Sequence, residues 1–444
     1  MINGLDNKIN MTTQDLIHSI ESIFPNSWVN LYRRKKRDSI AYFAYLRNKR
    51  NEKRIAGKRN VYNVFFLLES SSLWKYSYLY ELIDKSPYFH PVIIITPNIL
   101  KSHEDMIADF NRCYYEMLSR GYNVIKGYIP ESDMFIDVRT LDPHVIFFTN
   151  AWEEYNNHIF RIEKFSNILT CYMNYGWATT PHMFSFVTNV STKVWRYLLE
   201  CEDYKKVLSQ WINSKNALVT GSPMYDAFIG HKETGKDWKV QNKTIKRIIY
   251  APHHSIPGIT DNNILALSTF LIHSETMLEI VELYKGKVQF VFKPHPLLKY
   301  RLYLHPLWGR QKTDEYYKKW ENGENTNYIN GEYIDLFKSS DALIHDCSSF
   351  TVEYLFTKKP ALFLANFGHE GQANEVAMRA YNAHYKAKTK QEICAFIDDV
   401  VLGGKDTMKE SRESFYNNVL LPPNGRTASE NILAELTKAL KINI

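Results

Sequence analysis

Three polar clusters in the second half of the chain contain the residue types that bind and transfer charged oxygen groups. They are Ala251-Pro252-His253-His254-Ser255, Lys293-Pro294-His295-Pro296 and His345-Asp346-Cys347-Ser348-Ser349. Each cluster directly follows a short apolar run of strand length. Because loops at the carboxyl ends of neighbouring parallel strands line the same crevice, we expect the three clusters to converge at one edge of a sheet.

The third cluster favours an anion. Ser348 and Ser349 lie where a strand ends and where we predict a helix from Phe350 to Phe356. Free backbone N–H groups and the positive end of the helix dipole stabilise a phosphate at such a point, by about 0.3–1 kcal/mol for the dipole alone. Glu353, one turn into this helix, could reach a ribose hydroxyl. The alternatives are that Asp346 or Ser348 only caps the helix and that Glu353 is a solvated carboxylate.

The second cluster adds a cation and an imidazole. Two prolines rigidify its loop, while Lys293 and His295 can stabilise negative charge that builds on a phosphate leaving group. With His253 and His254 in the adjacent loop, the three histidines are the candidate catalytic residues, against the alternative of separate structural hydrogen bonds. A three-histidine metal site is a further alternative, but no carboxylate or cysteine spacing supports it, so we expect no metal and no cofactor.

The first half contributes one candidate loop, Met173-Asn174-Tyr175-Gly176-Trp177, which follows an apolar run. We expect Asn174, Tyr175 and Gly176 to face the same cleft, where Gly176 permits a close approach. The alternative is that Tyr175 and Trp177 are packing aromatics.

The elements that must position these residues alternate along the chain as strands and helices. The 444 residues exceed what one core of ordinary size needs, and the boundary between two α/β halves is predicted at residues 235/236, in a polar stretch without apolar periodicity. The predicted strands are Tyr62–Leu68, Val92–Thr96, Asn123–Lys126, Val145–Phe148, Ile168–Met173, Ala217–Thr220, Arg247–Tyr250, Val288–Phe292, Tyr328–Ile329, Ala342–Ile344 and Ala361–Leu364. Helices are predicted between them, and a last helix is predicted to begin near Thr427.

Composition excludes several classes of protein. With 45% apolar and 23% charged residues the chain is typical of folded globular proteins. Its apolar runs are shorter than the roughly 20 residues of a membrane-spanning helix, and its amino terminus has no secretory-signal pattern. Five cysteines without a C-x-x-C pair argue against a disulfide framework and a zinc cluster. We therefore expect a cytoplasmic protein with reduced thiols.

The positive charge is concentrated near the amino terminus. Residues 30–60 contain twelve basic and two acidic side chains, whereas the net charge of the whole chain is only +7. Apolar residues recur within this segment at helical spacing. We predict a basic helical arm over residues 1–60 that contacts an anionic membrane surface, each basic residue contributing about 1 kcal/mol. The alternatives are a solvated helix covering the first domain and, less favoured, a nucleic-acid contact, so we expect no nucleic-acid partner.

These residues resemble the CDP-glycerol glycerophosphotransferase family, the teichoic acid and capsule polymerases. The similarity rests on YAPHH, FKPHP, SDALIHDCSSFTVEYLF, KKPALFL and NGRTASENI and covers roughly residues 61–440. It implies an α/β, GT-B-like fold of two facing Rossmann-like domains with the active site in the cleft between them. Residues 61–235 would form the acceptor-side domain and residues 236–444 the nucleotide-donor domain.

The resemblance also implies site roles. His295, Ser348 and Ser349 would hold the donor pyrophosphate, with Glu353 and the loop around Gly221 as weaker matches, and Lys293 and Asp346 complete the expected donor-binding set. The implied enzyme moves glycerol or ribitol phosphate from a CDP-activated donor to a hydroxyl of a polymer or lipid-linked acceptor. We expect it on the inner face of the cell membrane, as a peripheral protein.

One position departs from the family pattern. Family members usually carry a His-Gly pair where this chain has Tyr175 and Gly176, and that histidine is the expected catalytic base. A tyrosine, with a pKa of about 10, is a poor base at neutral pH. His253, His254 or His182 could replace it. Two alternatives stay open, an inverting nucleotide-sugar glycosyltransferase of the same fold and a non-catalytic subunit of a capsule-synthesis complex.

Overall fold

The computed structural model describes residues 25–230, 232–240, 245–258, 268–365 and 373–442. Two parallel sheets organise these residues, one in each half of the chain. The first 24 residues of the predicted basic arm lie outside the described residues.

The first sheet has seven parallel strands in the order β3-β2-β1-β6-β7-β8-β9. Its strands are β1 (Tyr62–Leu68), β2 (Phe89–Ile95), β3 (Val124–Lys126), β6 (Val145–Phe148), β7 (Leu169–Tyr172), β8 (Arg196–Leu199) and β9 (Ala217–Val219). A small antiparallel pair, β4 (Tyr128–Ile129) and β5 (Met134–Phe135), lies between β3 and β6 in the chain. The loops after β1, β6, β7, β8 and β9 therefore open on the same edge.

Both faces of this sheet are buried, which explains why its strands are almost continuously apolar. Phe65 and Leu67 of β1 pack into one cluster, whereas Val64 and Phe66 pack into another on the opposite face. Successive side chains of a strand point to opposite faces, so a strand covered on both sides needs apolar residues at every position.

The second sheet has six parallel strands in the order β12-β11-β10-β13-β14-β15. They are β10 (Lys246–Ala251), β11 (Val288–Phe292), β12 (Thr326–Tyr328), β13 (Ala342–His345), β14 (Ala361–Leu364) and β15 (Tyr385–Ala387). Strand β10 pairs directly with both β11 and β13. The three strands that precede the polar clusters are thus immediate neighbours.

Helices cover the faces of both sheets. In the first half they are α1 (Asn26–Ile55), α2 (Ser77–Asp84), α3 (His103–Ser119), α4 (Asn189–Lys193), α5 (Glu202–Trp211) and α6 (Pro223–Gly230). In the second half they are α7 (Phe270–Leu283), α8 (Leu297–Leu304), α9 (Gly309–Asn322), α10 (Ile334–Ser339), α11 (Phe350–Glu353), α12 (Glu375–Tyr381), α13 (Lys390–Ala395), α14 (Lys409–Phe415) and α15 (Ala428–Leu440). None of the helices in the described ranges is both long and apolar enough to cross a membrane.

The basic helix α1 lies along the first domain. Its buried residues include Ala41 and Ala44, and two buried asparagines on the same face donate to carbonyl groups of that domain. Asn48 Nδ2 donates to Lys193 O at 2.9 Å, and Asn51 Nδ2 donates to Ser166 O at 2.8 Å. One face of α1 is therefore fixed to the protein and the other faces solvent.

The last helix returns to the first half of the molecule. Ile432, Leu436 and Leu440 of α15 pack in the same cluster as Val64 and Phe66 of β1. Each fully buried side chain of this kind contributes about 1.5–3 kcal/mol. Chain order placed this helix in the predicted domain of residues 236–444, but its apolar face is buried against the first sheet.

Buried aspartate Asp226 of α6 fixes the start of α15. Its two carboxylate oxygens accept from Ala428 N at 2.9 Å and from Ser429 N at 2.7 Å. Thr427 and Glu430 form a capping box at the same point. Both features satisfy N–H groups that a helix start leaves without partners.

Candidate functional site

The three candidate histidines lie together at the carboxyl ends of β10 and β11. The ring centroids of His253 and His254 are 4.2 Å apart, those of His254 and His295 are 4.1 Å apart, and those of His253 and His295 are 5.3 Å apart. His295 N donates to Pro252 O at 3.0 Å, which fixes one loop to the other. The predicted convergence of the first two polar clusters is present in the structure.

Backbone hydrogen bonds set the tautomers of two of these imidazoles. Nδ1 of His295 accepts from Leu297 N at 3.1 Å, and Nδ1 of His253 accepts from Ser255 N at 3.2 Å. A neutral imidazole carries its proton on one nitrogen only, so each ring carries it on Nε2. Burial, together with the nearby His254, Lys293 and Arg301, lowers the pKa of His295 to about 3. His295 is therefore a neutral donor at physiological pH.

Lys293 supplies a positive charge beside these donors. Its side chain is 4% exposed, and burial lowers its pKa to about 8, an effect that Cys347 and Asp237 oppose and Lys75 reinforces. The ammonium group is still mostly protonated at neutral pH. A buried cation beside neutral N–H donors is suited to a phosphate or diphosphate.

Asp346 fixes the His253 loop and the segment Ser268–Thr269 by hydrogen bonds. It is fully buried and accepts hydrogen bonds from His253 N, Thr269 N, Thr269 Oγ1 and Ser268 Oγ. Burial raises its pKa to about 6 in spite of these bonds. Four protein donors occupy this carboxylate, so its effect on a ligand is exerted through the His253 loop.

The serine cluster leads into the short helix α11. Ser349 precedes its first residue, and the backbone N–H groups of Val352 and Glu353 donate to Ser349 O at 3.0 Å. Ser348 is half-buried, as is Ser349. Residues 354–357 continue as a 3-10 turn, so the predicted helix to Phe356 is half α-helix and half 3-10.

Glu353 is buried at the boundary between the two domains and is not a solvated carboxylate. Its side chain is 2% exposed, and Tyr333 Oη donates to Glu353 Oε2 at 2.6 Å. Burial raises its pKa, whereas Lys75, Tyr333 and Ser349 act in the opposite direction. Lys75 comes from the loop after β1 of the first domain, so this carboxylate connects the two halves.

The predicted acceptor-side loop lines a small cavity that opens to solvent. Asn174, Tyr175 and Gly176 all line it, together with Lys75 and Glu200. Tyr172 Oη donates to Asn174 Oδ1 at 2.8 Å, and Tyr175 is 44% exposed. Trp177 also lines the cavity but is buried, 4% exposed, against aromatic neighbours.

Sequence reasoning missed Lys75 and Glu200. Lys75 lies seven residues beyond the end of β1, after a 3-10 turn (Ser71–Leu73) that separates it from the strand. Glu200 follows β8, a strand that the sequence analysis did not predict. The signal that could have found Glu200 is its position directly after the apolar run Tyr197-Leu198-Leu199, at the end of a short strand.

Two other candidates, Gly221 and His182, lie in different surroundings: Gly221 is closely packed and His182 is exposed. Gly221 has φ +87°, and a Cβ there would lie 2.4 Å from Pro422 Cβ, so its glycine is required by packing. His182 is exposed and stacks on Phe184 with centroids 5.3 Å apart. Donor binding by Gly221 stays a prediction, and His182 is outside the residues that line the cavity.

The histidine cluster also has the spacing of a metal site. One ligand atom from each of His253, His254 and His295 lies within 4.8 Å of the others. The Nδ1 atoms of His253 and His295 accept backbone N–H groups, so a metal here would be bound through the Nε2 atoms of these two rings. A metal-free site stays a prediction.

The sequence and structure comparisons bear on this arrangement. Residues 187–435 match the sequence profile of the family described as CDP-glycerol:poly(glycerophosphate) glycerophosphotransferase. The chain belongs to this family. The matched segment contains all three polar clusters and ends within α15. Membership in a glycerophosphotransferase family confirms the predicted enzyme class, a transferase that moves a polyol phosphate from a CDP-activated donor.

Solved structures support the fold. The wall teichoic acid polymerase TagF, as a His-to-Asn variant soaked with CDPG, is 14% identical with a TM-score of 0.56, covering 94% of this chain and 99% of that chain. The UDP-GlcNAc 2-epimerase of Neisseria meningitidis bound to UDP-GlcNAc is 16% identical in sequence, with a TM-score of 0.54. The match covers 85% of this chain and 100% of that chain.

A third solved structure, the MnaA–UDP complex of S. aureus, is 13% identical with a TM-score of 0.50, covering 86% of this chain and 98% of that chain. No curated protein sequence matches the chain. Likeness at these identities shows the fold, and it confirms the predicted GT-B-like architecture of two Rossmann-like domains.

Proposed function

We propose that this glycerophosphotransferase-family enzyme transfers glycerol or ribitol phosphate from its CDP-activated donor to a hydroxyl of a teichoic acid or capsule polymer, or of a lipid-linked acceptor. The observation that carries the proposal is the group formed by His253, His254 and His295, with two Nε2–H donors beside buried Lys293. In the reaction the acceptor oxygen attacks the β-phosphorus and CMP leaves.

The donor side stabilises the charge of the leaving phosphate. Lys293 contributes a cation and His295 a neutral N–H donor. His253 and His254 lie next to His295 and complete the group of three imidazoles. Charge that develops on a leaving group is stabilised most where donors are fixed in advance in a dry site. Ser348 and Ser349 add hydroxyl donors next to Cys347, which lies within electrostatic range of Lys293.

The remaining predicted residues position loops or contact the two substrates in this proposal. Asp346 fixes the His253 loop, and Gly221 allows the loop after β9 to approach Pro422. Glu353 offers its carboxylate to the ribose of the donor or holds Lys75 in place. Asn174, Tyr175 and Gly176 form the wall against which the acceptor binds.

The exposed face of α1 supports binding to a membrane surface. Trp28 and Phe43 are 66% and 69% exposed on this helix, and Leu31 and Tyr32 are exposed beside them. Basic residues, among them Lys35 and Lys36, flank these apolar side chains. Aromatic residues with a basic surround favour the interface of an anionic bilayer. The enzyme is therefore proposed to act as a peripheral protein on the cytoplasmic face.

The donor assay decides between the proposed reaction and its alternatives. Purified protein is incubated with labelled CDP-glycerol, CDP-ribitol, CMP-sugars and UDP-sugars, and the nucleotide released is identified. Release of CMP from a CDP-polyol is expected. Release of UDP from a UDP-sugar would indicate a glycosyltransferase, and no release together with no donor-induced shift in melting temperature would indicate a non-catalytic subunit.

Membrane binding is tested by co-sedimentation with vesicles. Wild-type protein is expected to bind phosphatidylglycerol vesicles and to dissociate as the salt concentration rises. The double variant Trp28→Ser, Phe43→Ser should lose most of this binding. Equal binding to neutral phosphatidylcholine vesicles would contradict the electrostatic part of the proposal.

A further inference from the structure

Glu200 is a buried carboxyl group that lines the acceptor-side cavity. It directly follows β8, at the same sheet edge as the loop of Asn174 to Gly176, and its side chain is 2% exposed. Ser222, in the loop after β9, lines the same cavity. Glu200 therefore lies among the residues proposed to receive the acceptor.

Neither carboxylate oxygen of Glu200 has a hydrogen-bond partner on another described residue. Burial raises its pKa to about 8, and its own backbone N–H is the group that opposes this effect. Leaving a buried polar group without a partner costs about 1–3 kcal/mol, more for a charged one. Such a group, at the wall of a cavity, points to a ligand that supplies the missing hydrogen bond.

The groups that face Glu200 are neutral at physiological pH. They are Tyr76 of the loop before α2, Tyr172 of β7, Tyr197 of β8, and Tyr204 and Cys201 at the start of α5. Burial raises the pKa of each of them. Among the residues that line the cavity, Lys75 is the cation, and it interacts with Glu353 across the cleft.

We propose that Glu200 is the base that accepts the proton of the acceptor hydroxyl. This inference rests on the proposed phosphotransfer. The bond between the acceptor oxygen and the β-phosphorus forms, and the bond from that phosphorus to the bridging oxygen breaks. CMP leaves with the electron pair, while the acceptor proton moves to a carboxylate oxygen of Glu200. That proton is then released to solvent through the open cavity.

Position favours Glu200 over the other candidates for this role. Tyr175 occupies the place of the usual family histidine but is 44% exposed. His253 and His254 lie on the donor side, where their loop is fixed to Asp346. A carboxyl group that titrates near physiological pH has the property expected of an efficient general base.

The experiment compares Glu200→Gln, Glu200→Asp and wild-type protein in steady-state assays. CDP-glycerol and CDP-ribitol are tested as donors, and the acceptor is a synthetic lipid-linked glycerol phosphate oligomer. Glu69→Gln is the matched control, because Glu69 is a partly buried carboxyl with a raised pKa whose oxygens are bonded to Asn98 and Asn150 and which lies outside this cavity. Donor affinity is measured separately by calorimetry.

Glu200→Gln should lower kcat by about 10²–10⁴-fold, the usual contribution of a general base. Its donor Kd should stay within twofold, and the rise of kcat toward pH 8 that is expected of wild type should disappear. Glu200→Asp should keep part of the activity with a shifted pH profile, and Glu69→Gln should resemble wild type.

Three results would overturn the inference. One is activity of Glu200→Gln within threefold of wild type, and another is loss of donor binding in parallel with kcat, which would indicate a structural role. The third is a wild-type rate that is independent of pH from 6 to 9. Wild-type protein that releases no CMP from either donor would instead overturn the proposed function itself.

Discussion

Gly176 of the first domain faces Glu353 of the second, so closely that a Cβ at Gly176 would lie 3.7 Å from Glu353 Oε1. Glu353 belongs to α11, the helix that follows Ser348 and Ser349, and it also interacts with Lys75 of the first domain. The proposed acceptor loop and the proposed donor helix are therefore in contact. A hydroxyl and a diphosphate bound to them would share one cleft.

Replacement of His295 tests the donor side. His295→Ala removes a fixed N–H donor, so transfer should fall by about 10²–10³-fold, as for the loss of one donor to a developing charge. Folding should be retained, because the ring's bond to Leu297 N closes only a local turn. The measurement is CMP release with far-UV circular dichroism as the folding check. Exposed His103→Ala is the control, and unchanged activity of His295→Ala would remove this residue from the mechanism.

The lowered pKa of Lys293 predicts that donor affinity depends on pH. Burial lowers its pKa to about 8, so the free enzyme loses this cation as the pH rises above 8. The Kd for CDP-glycerol, measured by calorimetry, should therefore increase between pH 7 and pH 9.5. Lys293→Arg should flatten the dependence, because arginine stays charged throughout. A wild-type Kd that stays constant over this range would exclude the role of Lys293.

Replacement of Asp226 should lower the stability of the protein without changing its affinity for the donor. Asp226→Asn leaves one of two buried N–H groups at the start of α15 without its acceptor, at a cost of about 1–3 kcal/mol. Urea denaturation should show this loss, with donor affinity unchanged. Exposed Asp84→Asn is the control and should be neutral. Equal stability of Asp226→Asn and wild type would mean that the helix does not depend on this carboxylate.

Glu200 predicts how stability changes with pH. Its carboxyl group has the usual glutamate pKa of 4.5 in the unfolded chain, whereas burial raises this pKa to about 8 in the folded protein. Between these values the unfolded state binds fewer protons, so wild-type stability should fall as the pH rises. Glu200→Gln lacks this titration.

The free energy of unfolding is measured in urea at pH 5.5, 7 and 8.5. The stability of Glu200→Gln relative to wild type should increase with pH, and this difference should level off above pH 8. Exposed Glu104→Gln should follow wild type. A constant difference between Glu200→Gln and wild type across the three pH values would contradict a raised pKa at Glu200.

The fold was predictable wherever apolar runs were strong. Strands Tyr62–Leu68, Val145–Phe148, Val288–Phe292 and Ala361–Leu364 agree with the structure at both ends. Both faces of these strands are buried, which favours apolar residues at almost every position, with Asn63 and Gln289 as polar exceptions. Strand β15 (Tyr385–Ala387) was missed because it is a three-residue edge strand with a lysine at its centre.

The candidate site was predictable only where it follows a predicted strand. His253, His254 and His295 were found because their loops directly follow β10 and β11. Lys75 and Glu200 were not, because a turn separates the first from its strand and the strand before the second was not predicted. Lys75 is notable for its interaction with Glu353 of the other domain, and Glu200 for its burial, and no local sequence pattern contains either property.

The most direct test of the account is a crystal structure of the full chain with CDP-glycerol. The account predicts the diphosphate within hydrogen-bond distance of His295 Nε2 and Lys293 Nζ, with the glycerol directed toward the cavity of Tyr175 and Glu200. A donor bound away from the three histidines, with its glycerol outside the cleft, would contradict the account.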